Sequence, residues 1–90
     1  MPKVKNLNGT GNRLPVGYSS WLDFWEKKTG KKAGECGRRG CAKKATDGAH
    51  VQKADSDDRR WYIVPLCHEC NMKSSSEEFY VDETLVPVRD

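Results

Sequence analysis

The stretch CGRRGCAKKATDGAHVQKADSDDRRWYIVPLCHECN, Cys36–Asn71, contains every cysteine and both histidines of the chain. Cys36 and Cys41 form one close pair, Cys67 and Cys70 another, and a segment carrying His50 joins them. Two cysteine pairs separated by a hairpin-length insert match a four-thiolate zinc site, in which each pair supplies two corners of a tetrahedron. Gly34, Gly37 and Gly40 let the backbone around the first pair turn back so that two sulfurs face one ion, which is the pattern of a zinc knuckle.

Size makes such a staple necessary. Ninety residues, 32% of them charged, form one small domain with little apolar surface to bury. Conformational entropy of ~1–2 kcal/mol per ordered residue must be offset by few contacts. A structural zinc ion closes that gap, contributing on the order of 10–16 kcal/mol in finger peptides. The start, MPKVKNLNGTG, has lysines but no apolar run behind them, so neither a secretory signal nor a membrane span is expected and the chain is placed in the cytoplasm. In that reducing compartment four cysteines favour metal over disulfides.

The formal charge of +3 counts the cysteines as neutral. Four thiolates around one Zn²⁺ carry a net negative charge that leaves about +1, so global charge says little. Distribution says more: Lys27, Lys28, Lys31, Lys32, Arg38, Arg39, Lys43 and Lys44 fall in one short stretch, with Glu35 as the acid among them. Two readings stand for this cluster. Arg38, Arg39, Lys43 and Lys44 could meet the phosphates of DNA or RNA, or the cluster could be a solvated face with no aromatic interleaved for base stacking.

Working outward from the cysteines, Thr46–Ala54 and Arg60–Leu66 read as two strands joined by a turn at Asp55, Ser56, Asp57 and Asp58. Both faces of the second strand are apolar, and Pro65 marks an edge or a strand terminus because it cannot donate to a ladder. Cys67 and Cys70 sit at the entrance of a short helix whose dipole favours thiolates, with Ser75 and Glu78 offering a capping pair beyond it. Upstream, Ser19 or Ser20 opens an amphipathic helix that ends at Gly30 and turns Trp21 and Trp25 towards the zinc module. Residues 1–17 read as a flexible arm, anchored at its end by Leu14 and Val16, and residues 18–90 as a single domain and a monomer. The tail predicts a further strand or a hairpin around Asp82 and Glu83.

Knuckle, β-hairpin and helix in this order make a small α+β zinc domain of treble-clef type with an added N-terminal helix. Gly48-Ala49-His50-Val51 followed by Ile63-Val64-Pro65-Leu66-Cys67-His68-Glu69-Cys70-Asn71, with Lys73 beyond, resembles the HNH endonuclease family over about residues 36 to 75. The resemblance implies His50 as the general base that activates water for attack on a phosphodiester. It implies Asn71 as a residue that helps assemble a catalytic site for Mg²⁺ or Mn²⁺.

The chain departs from the family at Ala49, where many members carry a metal-ligating Asp or His. Asp47, or one of Asp55, Asp57 and Asp58, would have to substitute. His50 otherwise reads as a hydrogen-bonded histidine ordering the hairpin, and Asn71 as a loop-holding side chain at the helix. His68, between two cysteines, reads as exposed and as the first replacement should one sulfur fail to reach the metal. The expected function is therefore a zinc-binding domain that is either an HNH-like nuclease or a non-catalytic module for nucleic acid or protein.

Overall fold

The strand before the second cysteine pair, β3 (Tyr62–Leu66), is buried at every residue. YIVPL presents apolar groups to both sides of a pleat, so a layer must cover each face. The computed structural model describes residues 2–7, 15–73 and 76–88. Among them β3 pairs antiparallel with β2 (Asp47–Lys53), matching Ala49 with Val64 and His50 with Ile63. Beyond these lie β1 (Lys3–Asn6), the nine-residue helix α1 (Trp21–Thr29), the one-turn helix α2 (His68–Asn71), β4 (Glu78–Tyr80) and β5 (Val86–Pro87). The strands form one antiparallel sheet in the order β4-β1-β2-β3-β5.

Alternation along β2 and β3 sorts the core into two layers. Ala49, Val51, Tyr62, Val64 and Leu66 join Val4, Phe79, Val81 and the buried cysteines on one face. Ile63 joins Phe24, Trp25 and Val86 on the other, with Tyr18 and Trp21 packed against them. The tryptophans of α1 thus cover the face opposite the cysteines, where the sequence expectation turned them towards the zinc module. Both sheet faces are apolar, and the cysteine-bearing loops already fill one of them.

α1 begins where Ser20 Oγ accepts the Asp23 N–H at 3.0 Å and ends at Gly30, whose φ of 73° suits a left-handed cap. Its first turn lies directly on β2: a Cβ added to Gly48 would stand 2.4 Å from Leu22 N. Only glycine admits that approach. Trp25, fully buried, donates from Nε1 to Thr84 O at 2.8 Å and ties the tail to the helix.

The expectation for the N-terminal end of the chain needs correction, and that for the tail holds in its strand form. Residues 1–17 read as a flexible arm, yet Lys3–Asn6 is a strand inserted between β2 and β4, with Val4 and Asn6 buried. Its affinity for the sheet comes from backbone ladders on both sides, which a polar composition does not reveal. Val16 anchors nothing, being 98% exposed; Leu14, Ser74 and Ser75 lie outside the described residues. The tail forms strands but no hairpin: β4 and β5 occupy opposite edges of the sheet. Pro65 sits where β5, which pairs only with Tyr62 and Ile63, no longer covers β3; there Gly37 N–H donates to Pro65 O at 2.7 Å.

Candidate metal centre

The first cysteine pair is shaped by a loop stitched to the sheet. Cys36 N–H donates to Lys43 O at 2.7 Å, Arg39 N–H to Tyr80 O at 2.8 Å and Asp82 N–H to Gly37 O at 2.8 Å. Gly37 is required here, since a Cβ would meet Pro65 O at 2.8 Å. Gly40, at φ 83°, turns the chain so that Cys41 N–H reaches Arg38 O. The second pair comes from α2, where Cys67 is the N-cap and Cys67 O accepts the Asn71 N–H at 3.0 Å.

These elements bring the four sulfurs within 4.8 Å of one another. Cys41 Sγ stands 3.9 Å from Cys67 Sγ and 3.9 Å from Cys70 Sγ. Sulfurs held at ~2.3 Å from a central zinc at tetrahedral angles are separated by about 3.8 Å, whereas a disulfide would require about 2 Å. All four cysteines are free.

Their protonation also fits a cation. Burial and the neighbouring sulfurs push the Cys70 thiol up to about 12, and burial raises Cys36. Burial opposes ionisation of Cys67 too, but the Cys70 backbone N–H and the surrounding thiols hold it below the ordinary thiol value. A bound dication would offset this resistance by stabilising the thiolates that ligate it. The donor set of Cys36, Cys41, Cys67 and Cys70 could therefore hold a metal ion such as zinc.

Sequence reasoning missed two supports of this centre. Asp47, on β2, accepts from Asn71 Nδ2 at 2.9 Å, and the same carboxylate oxygen lies 3.0 Å from His68 Nδ1. Thr46 Oγ1 adds a bond to its other oxygen at 3.0 Å. Burial works against the Asp47 charge, yet the bonds from Asn71, His68 and Thr46 keep its carboxyl below the usual carboxylate range. Asp47 thus clamps α2, which carries Cys70 and is preceded by Cys67 as its N-cap, to the hairpin. Asn6 does the same from β1: its Nδ2 donates to Cys70 O at 2.9 Å, which also accepts the Lys73 N–H, and to Lys73 O at 3.2 Å, just beyond the helix. An asparagine in a polar N-terminal segment carries no signal of that role.

His50 stands elsewhere. Its cross-strand partner is Ile63, so its side chain emerges on the α1 face, while Asp47, Ala49 and Val51 alternate to the cysteine face. The imidazole is only 6% exposed and packs edge-to-face on Trp21, at 4.6 Å between centroids, and on Trp61, at 6.1 Å. It has no hydrogen-bond partner among the described residues, and burial pushes its pKa down. The hairpin is ordered from the backbone of this residue, where His50 O accepts the Leu7 N–H at 3.0 Å.

The structure therefore does not bring His50 and Asn71 together. Asn71 is engaged by Asp47, as is His68, which is exposed and lies outside the sulfur cluster. Among the described residues the four cysteines are the one group of three or more Cys, His, Asp or Glu side chains arranged to hold an ion, so Mg²⁺ or Mn²⁺ at His50 and Asn71 finds no further ligands. Asp55 pairs with Lys3, and Asp58 with Arg60, Lys53 and the Tyr62 hydroxyl.

The basic residues of the knuckle divide. Lys43 pairs with Glu69, and the Arg38 guanidinium lies over the Phe79 ring at 6.0 Å. Arg39 and Lys44 are exposed, and their side chains have no partner among the described residues. No helix of the described residues is long and apolar enough to cross a membrane. No protein-family model matches the chain, and neither the curated proteins nor the solved structures provide a match.

Proposed function

We propose that this chain is a zinc-stapled treble-clef module that binds nucleic acid through its knuckle without cleaving it. The zinc reading rests on four sulfurs gathered within 4.8 Å of one another, and the treble-clef reading on the order of knuckle, hairpin and cysteine-bearing helix. The choice against catalysis rests on one observation: strand alternation separates His50 from Asn71 and Asp47 onto opposite faces of the sheet. A base and an ion-binding group must converge on one phosphodiester, and these do not. The nucleic-acid reading is supported by Arg39 and Lys44, exposed cations beside Lys43 on a loop held rigid by the metal ligands.

The test has two arms. The zinc-loaded protein is incubated with plasmid DNA and with RNA in Mg²⁺, Mn²⁺ or Ni²⁺, beside a His50→Ala control. The expected result is intact nucleic acid; cleavage that disappears in the His50 variant would restore the nuclease reading. Binding to the same nucleic acids is then titrated against salt. Affinity is expected to fall with salt and to weaken when Arg39 and Lys44 are changed to glutamine. Absence of binding at low salt would overturn the nucleic-acid role and leave a protein-interaction module.

A further inference from the structure

Trp61 is the exception to the burial of large side chains on the α1 face. Trp25 is fully buried and Trp21 half-buried, but Trp61 remains 44% exposed immediately before β3. A domain this small normally hides its largest apolar group. One side of Trp61 meets the His50 ring edge-to-face, and Trp61 O accepts the Val88 N–H at 2.9 Å, so its position is set from the sheet. With Arg59, Arg60 and Val88 it lines a surface cleft of 320 Å³, about the space that one small ligand occupies.

The two arginines there are not equivalent. Arg60 is locked: Nε donates to Asp58 Oδ1 and Nη2 to Asp58 Oδ2, each at 3.2 Å, and its guanidinium lies 5.5 Å from the Tyr62 ring centroid. Its charge is answered by the Asp58 carboxylate. Arg59 is held only through its backbone, whose carbonyl accepts from Gln52 Nε2 at 2.8 Å; its exposed side chain has no partner among the described residues. The cleft therefore combines an accessible indole, an apolar lining residue in Val88 and a cation with no side-chain partner among the described residues.

We propose that this cleft binds an unpaired nucleotide of a single-stranded nucleic acid, its base stacked on Trp61 and its phosphate on Arg59. A planar π face suits the indole and a phosphate suits the guanidinium. A duplex hides its base faces in the stack, and an acidic peptide would use Arg59 but leave Trp61 without a flat partner. The site is distinct from the knuckle. Gly37 is bonded to Pro65, near the far end of β3, roughly 13 Å along the strand from Trp61. It rests on the nucleic-acid reading for its class of partner and on different residues for its contacts.

Binding of zinc-loaded protein to a labelled single-stranded oligonucleotide and to a duplex of the same length tests this, with Trp61→Ala, Trp61→Phe and Arg59→Gln beside an Arg39→Gln, Lys44→Gln double variant. Trp61→Ala is expected to weaken single-strand binding about fivefold or more and to leave duplex binding within about twofold. Trp61→Phe should recover most of the loss, and Arg59→Gln should reduce the salt slope by about one. The double variant should weaken both nucleic acids alike. Amide dispersion of each variant confirms that it folds. Single-strand binding unchanged in folded Trp61→Ala overturns the subsite alone; wild type that binds neither nucleic acid overturns the knuckle reading and the subsite together.

Discussion

Asp47 and His50 stand three residues apart on one strand and serve opposite faces of the sheet. Asp47 Oδ2 accepts from Asn71 Nδ2 at 2.9 Å beside the cysteine cluster, while the His50 ring lies 4.6 Å from Trp21 on the helix face. An odd separation along a strand reverses side-chain direction, so the two could not share a site without a bulge between them. This separation decides how the histidine is read.

Removal of the metal should unfold the chain. A chelator in excess, or Cys67→Ser, is expected to collapse the amide signal dispersion, because the knuckle and α2 are held through the sulfurs and the remaining core is small. A chelated protein with native dispersion would show that packing alone suffices.

Asp47→Ala should destabilise the zinc-saturated protein by about 1–3 kcal/mol, since Asn71 and His68 lose their common acceptor. His68→Ala should cost less than about 1 kcal/mol, its partnership being solvent-exposed. Urea midpoints read both. Equal losses would mean that the clamp does not act through Asn71.

His50 predicts a particular pH dependence. Burial lowers its folded-state pKa below the ordinary 6.5, so the unfolded chain takes up this proton at higher pH than the folded chain. The associated stability is complete above about pH 6.5 and drains as pH falls from there to the folded-state pKa, below which it is flat. The stability advantage of wild type over His50→Gln, measured with zinc bound, should therefore narrow as pH falls through this window. Thiolate protonation acts in both proteins and cancels in the difference. An advantage that stays constant with pH would show that the imidazole is not held neutral.

Asn6→Asp keeps the shape of the side chain but removes both N–H donors from Cys70 O and Lys73 O and places a charge where the residue is 1% exposed. A loss of about 3 kcal/mol or more is expected, against about 1–3 kcal/mol for Asn6→Ala. Thermal or urea unfolding distinguishes them, and the same small loss from both would mean that β1 is not anchored through this amide.

The cysteine cluster is legible in the amino-acid sequence because its grammar is local. Pairs five and three residues apart, glycines between and beside them, and a short helix after Leu66 are recorded in adjacent residues. The helix from Trp21 to Thr29 is legible for the same reason: Ser20 and Gly30 cap it with bonds that reach at most four residues. The role of β1 is not, since Val4 finds Lys53 and Phe79 far along the chain through backbone groups that every sequence carries.

The sequence by itself determined the cluster of four cysteines, the hairpin and the helix that carries Cys70, all from spacing and turn chemistry. Only the tertiary structure decided which face each of them uses. It set α1 opposite the cysteines, put His50 between two tryptophans and joined Asn71 to Asp47 instead. The physical reason is that strand alternation fixes which residues share a face, but not which layer covers it; that choice is made by the packing of distant segments, when Gly48 admits the first turn of α1 on one side and the sulfurs gather on the other.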